Sequence, residues 1–92
     1  MKASFIVPCY NEEKNVELLY EEIKKNFKDE KIEIIFVNDG SKDDTFNKLK
    51  SLLNEKKTFI RIINFSRNFG KEAAILAGLK EATGDYVTII DA

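Results

Sequence analysis

The sequence lacks histidine altogether and contains a single cysteine, Cys9, and a single proline, Pro8. One cysteine excludes an internal disulfide and a thiolate zinc cluster, which is typical of a protein in a reduced, cytoplasmic setting. Without histidine, the commonest general base and a common metal ligand are missing, so carboxylates are the candidates for both tasks. We expect Cys9 to be a small, partly buried residue, because no histidine is available to activate it as a nucleophile.

An excess of charge of one sign and long apolar runs are also absent. The 92 residues carry 15 basic and 16 acidic side chains, and this balance argues against the basic face that nucleic-acid binding needs. No run approaches the roughly 20 apolar residues of a membrane span. Lys2 precedes only a short apolar segment, unlike the start of a signal peptide. With 43% hydrophobic and 34% charged residues, the chain has the composition of one small globular domain or of part of a larger one.

Four apolar segments rich in β-branched residues predict strands. They cover residues 3–7, 34–37, 59–65 and 86–90. Pro8 is expected to end the first strand, because proline lacks a donor for the ladder of hydrogen bonds. The second strand is an unbroken apolar run, which is typical of a strand buried on both faces. The third carries Arg61 and Asn64, which suit a strand at the edge of a sheet.

Helical periodicity fills the segments between these strands. The first helix is predicted to follow Asn11 as its N-cap. The second is predicted at about 43–54, with Lys56 and Lys57 closing it through their favourable charge. The third is predicted at about 71–83.

The resulting βαβαβαβ order predicts an α/β fold with a parallel sheet, right-handed crossovers and helices on the faces of the sheet. No linker, internal repeat or low-complexity segment divides residues 1–92. The fourth strand is followed by Asp91 and Ala92 alone, without a helix to cover it. We therefore expect a single partial domain that is truncated at this point.

Polar or aromatic residues follow every predicted strand. In a parallel sheet these strand ends share one edge, where ligands bind. A nucleotide base can stack on Tyr10 and donate a ring N–H to Asp39, beside Gly40, which lets the backbone approach closely. A diphosphate can meet Arg67 or the N-terminus of the third helix. Asp91 can reach a divalent cation that neutralises the diphosphate.

Each of these residues also has an ordinary structural interpretation. Tyr10 can pack on the first helix, and Arg67 and Lys71 can be solvated loop charges. The segment 38–41 (NDGS) suits a turn between a strand and a helix, and Asp91 alone would be an ordinary turn residue. Convergence of all four strand ends on one edge favours the binding interpretation, because turn chemistry does not require it.

Two other classes of protein stay open at this point. A receiver-like or other flavodoxin-like regulatory module shares the βα alternation, although Pro8-Cys9 and Ser66 stand where its acids would be. A structural interaction domain would pair its exposed fourth strand with a partner or with another copy of itself. The GxGxxG and GxxxxGK[ST] signatures of dinucleotide-binding and P-loop proteins are missing.

Four segments, in this order, resemble the amino-terminal part of family 2 glycosyltransferases: IVPCYNEEKNV, VNDGSKDDT, FSRNFGKEAAILAGL and ATGDYVTIIDA. The closer resemblance is to polyprenyl-phosphate sugar transferases of the bactoprenol glucosyltransferase and dolichol-phosphate mannosyltransferase type. It covers nearly the whole chain. The turn NDGS alone is weakly specific, but four motifs in register are a strong signal.

The resemblance implies a GT-A fold whose first half is a Rossmann-like nucleotide-binding sheet. Residues 1–92 would be that half, ending at the family's DxD element. By motif position, the resemblance implies that Pro8, Tyr10 and Glu12 line the pocket for the base. It also implies that Asp39 accepts a hydrogen bond from the base.

The third and fourth motifs carry the residues for the rest of the donor. Arg67 is similar in position to a residue that approaches the donor nucleotide, and Gly70 and Lys71 open the adjacent helix. Asp91 looks like the first acid of the DxD element, which binds Mg²⁺ or Mn²⁺ and through it the donor diphosphate. The implied reaction is metal-assisted transfer of a sugar from a UDP- or GDP-sugar to a polyprenyl phosphate, with inversion.

By the same resemblance, the second DxD acid, the acceptor-binding region and the membrane helices of the closer relatives lie beyond Ala92. We therefore expect no catalytic residue within the chain and no transferase activity from this piece alone. The full-length protein is expected at the cytoplasmic face of the membrane. Asn38 stands where many family members have Asp, which we interpret as tolerated variation.

Overall fold

The structure, a computed structural model, describes residues 1–27, 31–54 and 59–92. Its helices and strands are β1 (Lys2–Cys9), α1 (Val16–Asn26), β2 (Lys31–Asn38), α2 (Thr45–Leu52), β3 (Phe59–Asn64), α3 (Lys71–Glu81) and β4 (Tyr86–Ile89). The predicted βαβαβαβ order is confirmed. Lys56 and Lys57, the residues expected to close the second helix, lie outside the described residues.

All strands are parallel, and their order across the sheet is β3-β2-β1-β4. The apolar runs of β1 and β2 lie at the centre of the sheet and are buried on both faces. Phe5 and Phe36 pack against α1 and α2 on one face, whereas Ile35 and Val37 pack against α3 on the other. The edge position predicted for the third strand is confirmed.

The strand order separates the two nucleotide-binding arrangements of parallel sheets. The Rossmann order 3-2-1-4 places β1 between β2 and β4, whereas a flavodoxin-like order places β3 beside β1. In this chain β3 pairs with β2, and β4 pairs with β1. The receiver-like alternative is therefore wrong. From β1 to β3 each new strand is added on the same side of the sheet, whereas β4 is added on the other side of β1. This reversal of strand order creates a crevice beyond the carboxyl ends of β1 and β4.

The α3 helix lies close to the sheet because the residues in contact with the sheet are small. Ala74 and Gly78 of α3 are both buried between the helix and the sheet. A Cβ atom added at Gly78 would lie 2.5 Å from Cγ2 of Ile6, so a larger residue would push the helix away from the sheet. This close packing fixes the distance between α3 and the sheet.

Pro8 does not end β1, which continues to Cys9. The N–H of Ile90 donates to the carbonyl of Ile6, so Ile6 directs its polar backbone toward β4. Pro8, two residues further on, faces the same way. The pairing with β4 stops at Ile89, opposite Ile6, and the missing N–H of Pro8 therefore leaves no ladder bond unmade. The proline is compatible with a central strand at this one position.

Asn11 is also not the N-cap of α1, which begins at Val16 after Asn15. Its φ of 54° lies in the left-handed region, which asparagine tolerates better than most residues. The expectation was wrong because Asn11 bonds to the β2–α2 loop instead of to its own helix.

A buried carboxylate joins the amino-terminal end of the sheet to the loop after α3. Glu33 of β2 is fully buried, and its Oε2 accepts hydrogen bonds from Ser4 Oγ (2.5 Å), Thr83 N (2.6 Å) and Thr83 Oγ1 (3.0 Å). Nζ of Lys2 lies 3.7 Å from Oε1. Burial acts to raise the pKa of Glu33, but the hydrogen bonds and the charge of Lys2 outweigh burial and lower it. The ionised carboxylate connects β1, β2 and the α3–β4 loop.

Candidate functional site

A cavity of about 190 Å³ opens beyond the carboxyl ends of β1 and β4, at the crevice made by the reversal of strand order. We refer to it as the β1–β4 cavity. Its lining residues are Pro8, Cys9, Tyr10, Glu12, Asp39, Lys71, Asp91 and Ala92. All of the residues predicted to bind the donor or a metal are among them except Arg67. The ends of β1, β2 and β4 and the start of α3 thus surround one cavity, whereas the residues that directly follow β3 lie outside its lining.

The end of β1 supplies an aromatic ring and a buried thiol to the cavity. Tyr10 is 41% exposed, which leaves part of its ring accessible to a ligand. Cys9 is buried, and burial together with the charge of Glu12 raises its pKa to about 12. The thiol is therefore protonated at neutral pH, which does not suit a nucleophile.

The β1–α1 loop is hydrogen-bonded to the β2–α2 loop. The N–H of Asn11 donates to Ser41 Oγ (2.9 Å), and the N–H of Lys42 donates to Asn11 Oδ1 (2.8 Å). The N–H of Glu12 donates to Thr45 Oγ1 (2.9 Å). These bonds satisfy backbone donors that would otherwise be unpaired, and they fix the wall that carries Tyr10 and Glu12.

Asp43 adds a further connection between the same two loops. Its carboxylate accepts hydrogen bonds from Thr45 N (2.9 Å), from Thr45 Oγ1 and from Glu13 N (3.3 Å). Burial acts to raise the pKa of Asp43, but these hydrogen bonds outweigh burial and lower the pKa. Sequence reasoning did not identify these cross-links, because their partners lie about 30 residues apart in the chain.

Asp39 is the most extensively bonded residue of the cavity wall. Its side chain is 3% exposed, and its N–H donates to the carbonyl of Cys9 (2.8 Å). Oδ1 accepts from Phe69 N (2.8 Å), and Oδ2 accepts from Gly70 N (3.1 Å) and Asn68 Nδ2 (3.2 Å). The carboxylate therefore contacts the β3–α3 loop as well as the cavity. Asn68 is a partner that the sequence did not reveal.

The two predicted cationic residues have different surroundings. Nζ of Lys71 lies 2.6 Å from Oδ1 of Asp91, and both side chains are more than half exposed. Arg67 lies outside the cavity lining, with its guanidinium carbon 5.0 Å from the centre of the Phe69 ring. The Phe69 ring in turn makes an edge contact with Phe65. Lys71 is thus placed at the cavity, and Arg67 is placed on the loop beside it.

Asp91 has the donor chemistry of a divalent-cation ligand. Glu12 and Asp39 are the other acids in the cavity wall. Within residues 1–27, 31–54 and 59–92, no cluster of three or more acidic, histidine or cysteine ligands could hold a metal alone. Mg²⁺ commonly binds one or two carboxylates together with substrate phosphates and water. Asp91 fits a cation that is held jointly with a phosphate ligand and does not fit a site built by the protein alone.

The family model described as glycosyl transferase family 2 matches residues 4–92. The chain belongs to glycosyl transferase family 2. Its family 2 relatives include CsbB of Bacillus subtilis (strain 168), 50% identical over 91 residues, which are 97% of this chain and 27% of CsbB. A prophage bactoprenol glucosyl transferase homolog of Escherichia coli (strain K12) is 41% identical over 93 residues, covering 99% of this chain and 30% of that protein. The family 2 chain thus spans less than a third of the length of these relatives.

Solved structures resemble the family 2 chain over nearly its full length. Residues 1–349 of TarS of S. aureus, in complex with UDP-GlcNAc, have a TM-score of 0.86 and 30% identity, covering 99% of this chain and 26% of that fragment. The mannosyltransferase PcManGT from Pyrobaculum calidifontis, in complex with GDP-Man and Mn²⁺, has a TM-score of 0.88 and 25% identity. It covers 97% of this chain and 26% of PcManGT. The expected fold, part of a GT-A nucleotide-sugar-binding domain, is confirmed.

The described helices of the family 2 chain are all too short or too polar to cross a membrane.

Proposed function

We propose that this chain is the donor-binding half of a glycosyltransferase catalytic domain and that the β1–β4 cavity receives the nucleotide of a UDP- or GDP-sugar. The observation that carries the proposal is that Pro8, Tyr10, Glu12, Asp39, Lys71 and Asp91 line one cavity at the point where the strand order reverses. The cavity, at about 190 Å³, is smaller than the roughly 300–1,000 Å³ of complete small-molecule sites. It suits a nucleoside rather than a whole nucleotide-sugar.

The base is proposed to stack on the exposed part of Tyr10 and to donate a ring N–H to Asp39. An ionised carboxylate offers about four lone-pair positions, and the β3–α3 loop takes three of those on Asp39. The remaining position is on Oδ1. Both uracil and guanine have a ring N–H that can donate to it, so this contact alone does not distinguish a UDP-sugar from a GDP-sugar.

The diphosphate is proposed to lie between Asp91 and the first turn of α3. Three acids line the cavity against one lysine, so a diphosphate needs an additional positive charge there. Mg²⁺ or Mn²⁺ bound to Asp91 would supply it and act as a Lewis acid for the leaving diphosphate. Lys71 would bind a phosphate oxygen, and Arg67 would approach the donor from the adjacent loop.

The full-length protein is proposed to transfer a hexose to a polyprenyl phosphate at the cytoplasmic face of the membrane, with inversion. The name of the bactoprenol relative from E. coli supports this class of acceptor. We assign no catalytic residue within residues 1–92 and expect no turnover from this piece alone. Conversion of a nucleotide-sugar by the purified 92-residue chain would contradict that assignment.

Calorimetric titration of the chain with UDP and GDP, with and without Mn²⁺, tests donor binding. Asp39→Ala should weaken binding of the nucleotide by at least about tenfold, because it removes a hydrogen bond to a charged group. Asp44→Ala is the matched control, since Asp44 is exposed and its side chain bonds to Asn47 outside the cavity. Undiminished binding by an Asp39→Ala variant that retains its fold would refute the role of Asp39 in base recognition.

Self-association through β4 is a further proposal. β4 pairs with β1 along one side, and Val87 and Ile89 are 39% and 46% exposed. An apolar edge strand of this kind is a template for pairing with a second copy.

A further inference from the structure

The carboxylate expected to read the base also holds the loop that carries the cationic residues. We propose that Asp39 and Gly40 together form a loop anchor, which positions the β3–α3 loop and the start of α3. This inference rests on the proposed function and extends it, because it makes Asp39 a positioning residue for Arg67 and Lys71. Base recognition and placement of the cations would then depend on one side chain.

The first support is the set of hydrogen bonds around Asp39. Its carboxylate accepts from two consecutive backbone N–H groups, those of Phe69 (2.8 Å) and Gly70 (3.1 Å). The amide of Asn68 donates to the carboxylate at 3.2 Å and to the backbone carbonyl of Asp39 at 3.1 Å. Because Asp39 is nearly fully buried, loss of its carboxylate would leave these donors without their partner.

The second support is the contact between Gly40 and the backbone of the loop. Gly40 has φ of 69°, and a Cβ atom built on it would lie 2.2 Å from the carbonyl carbon of Arg67 and 2.3 Å from the nitrogen of Asn68. These distances are to backbone atoms, which cannot rotate away as a side chain can. The β3–α3 loop therefore occupies its position because residue 40 has no side chain.

The third support is that both ends of α3 are held by residues of β2 or of the turn that follows it. Gly70 is the N-cap of α3, so Asp39 lies at the positive end of the helix, where a carboxylate is favoured. At the other end, Glu33 accepts two hydrogen bonds from Thr83, just beyond the helix. Glu33 alternates in phase with Ile35 and Val37, which pack against α3, and Asp39 directly follows the last residue of β2. The first turn of α3, with Lys71, is thus fixed relative to the β2 end.

The two roles of Asp39 can be separated experimentally. The loop uses three of the lone-pair positions of the carboxylate, so a base can bind the fourth without displacing the loop. Asn68→Ala removes a loop contact and leaves the base acceptor in place. Asp39→Asn replaces one acceptor oxygen with an amide group, which cannot accept from the donors of the loop. Asn47→Ala is the control, because this exposed side chain of α2 donates to Asp44, which precedes the helix, away from the loop.

Amide hydrogen exchange followed by NMR tests the anchor without any ligand. Exchange at Phe69 and Gly70 should accelerate about three- to tenfold in Asn68→Ala and more in Asp39→Asn, with Asn47→Ala unchanged, as expected for the loss of one or two hydrogen bonds. In binding experiments, Asn68→Ala should weaken UDP or GDP about three- to tenfold while affinity for uridine or guanosine stays within twofold. A merely structural defect would weaken the nucleoside and the diphosphate equally.

Wild-type exchange rates at Phe69 and Gly70 in Asp39→Asn would overturn the anchor. Equal loss of nucleoside and diphosphate affinity in Asn68→Ala would overturn its role in placing the cations. Absence of UDP and GDP binding by the wild-type chain, with exchange accelerated as expected, would instead refute the proposed function and support the anchor alone.

Discussion

Replacement of Glu33 should destabilise the whole domain, although it lies at the end of the sheet remote from the β1–β4 cavity. The charged oxygen Oε2 accepts three hydrogen bonds, from Ser4 and Thr83. Glu33→Gln keeps the size of the side chain and an oxygen at the position of Oε2, but it removes the charge that strengthens the three hydrogen bonds. Hydrogen bonds to charged groups contribute about 1.5–3 kcal/mol each. Because burial of the charge offsets part of this sum, we expect a net loss of about 2 kcal/mol.

The pH dependence of the same variant provides a second, independent measurement. The pKa of Glu33 is lower in the folded state than its ordinary value of 4.5. The stability that the carboxylate contributes is therefore complete above that ordinary value and is lost as the pH falls through the folded-state pKa. Between neutral pH and this acidic range, the wild type should lose more stability than Glu33→Gln. The free energies of unfolding of the two proteins should therefore converge as the pH falls.

Urea unfolding followed by circular dichroism measures both quantities. Glu17→Gln is the matched control, because the Glu17 side chain is more than half exposed and forms a surface ion pair. Its Oε1 lies 3.9 Å from Nζ of Lys48. Such a surface pair contributes about 0.2–1 kcal/mol. A loss below about 0.5 kcal/mol in Glu33→Gln at neutral pH, or a difference from the wild type that does not shrink in acid, would refute the reasoning.

Three further predictions concern other parts of the molecule. Tyr20→Phe should stabilise the protein by about 1 kcal/mol in the same unfolding assay, because the buried hydroxyl has no hydrogen-bond partner among the described residues; a clear loss of stability would contradict this. Lys71→Met should strengthen Mn²⁺ binding in the absence of nucleotide about two- to fivefold, since it frees the carboxylate of Asp91. Paramagnetic broadening of the Asp91 amide measures this effect, and equal broadening in both proteins would exclude competition by Lys71. If β4 mediates self-association, Val87→Lys with Ile89→Lys should lower the mass measured by sedimentation to that of a monomer; an unchanged dimer would place the contact elsewhere.

The elements of the fold could be predicted from the sequence because their signals are local. The apolar run at the centre of β2 and the stripes of the helices each depend on a few consecutive residues. Tyr10, Asp39 and Asp91 could be assigned to one edge because the carboxyl ends of parallel strands necessarily share it. The order of the strands does not follow from any local pattern, since it depends on which side of β1 the last strand joins.

The finer structure of the site and of the buried Glu33 cluster could not be predicted, because both depend on contacts between distant segments. Asn11 looks like an N-cap by residue type, but its bonds to Ser41 and Lys42 determine its conformation. Glu33 lies one residue before the apolar run and gives no indication that it is buried. Its partner Thr83 is 50 residues away, in a loop that comes near only after α3 has packed on the sheet.

The position of β4 beside β1 has a consequence for synthesis of the protein on the ribosome. Ala3 pairs with Tyr86, so one side of the first strand stays unpaired until residues 86–89 have emerged. At about 5–20 residues per second, this interval lasts on the order of ten seconds. β1 and β2 can pair early, but the outer side of β1 remains an open, apolar template throughout that time. The nascent chain therefore exposes this edge of β1 before the β1–β4 cavity exists, and pairing with β4 is what covers the edge.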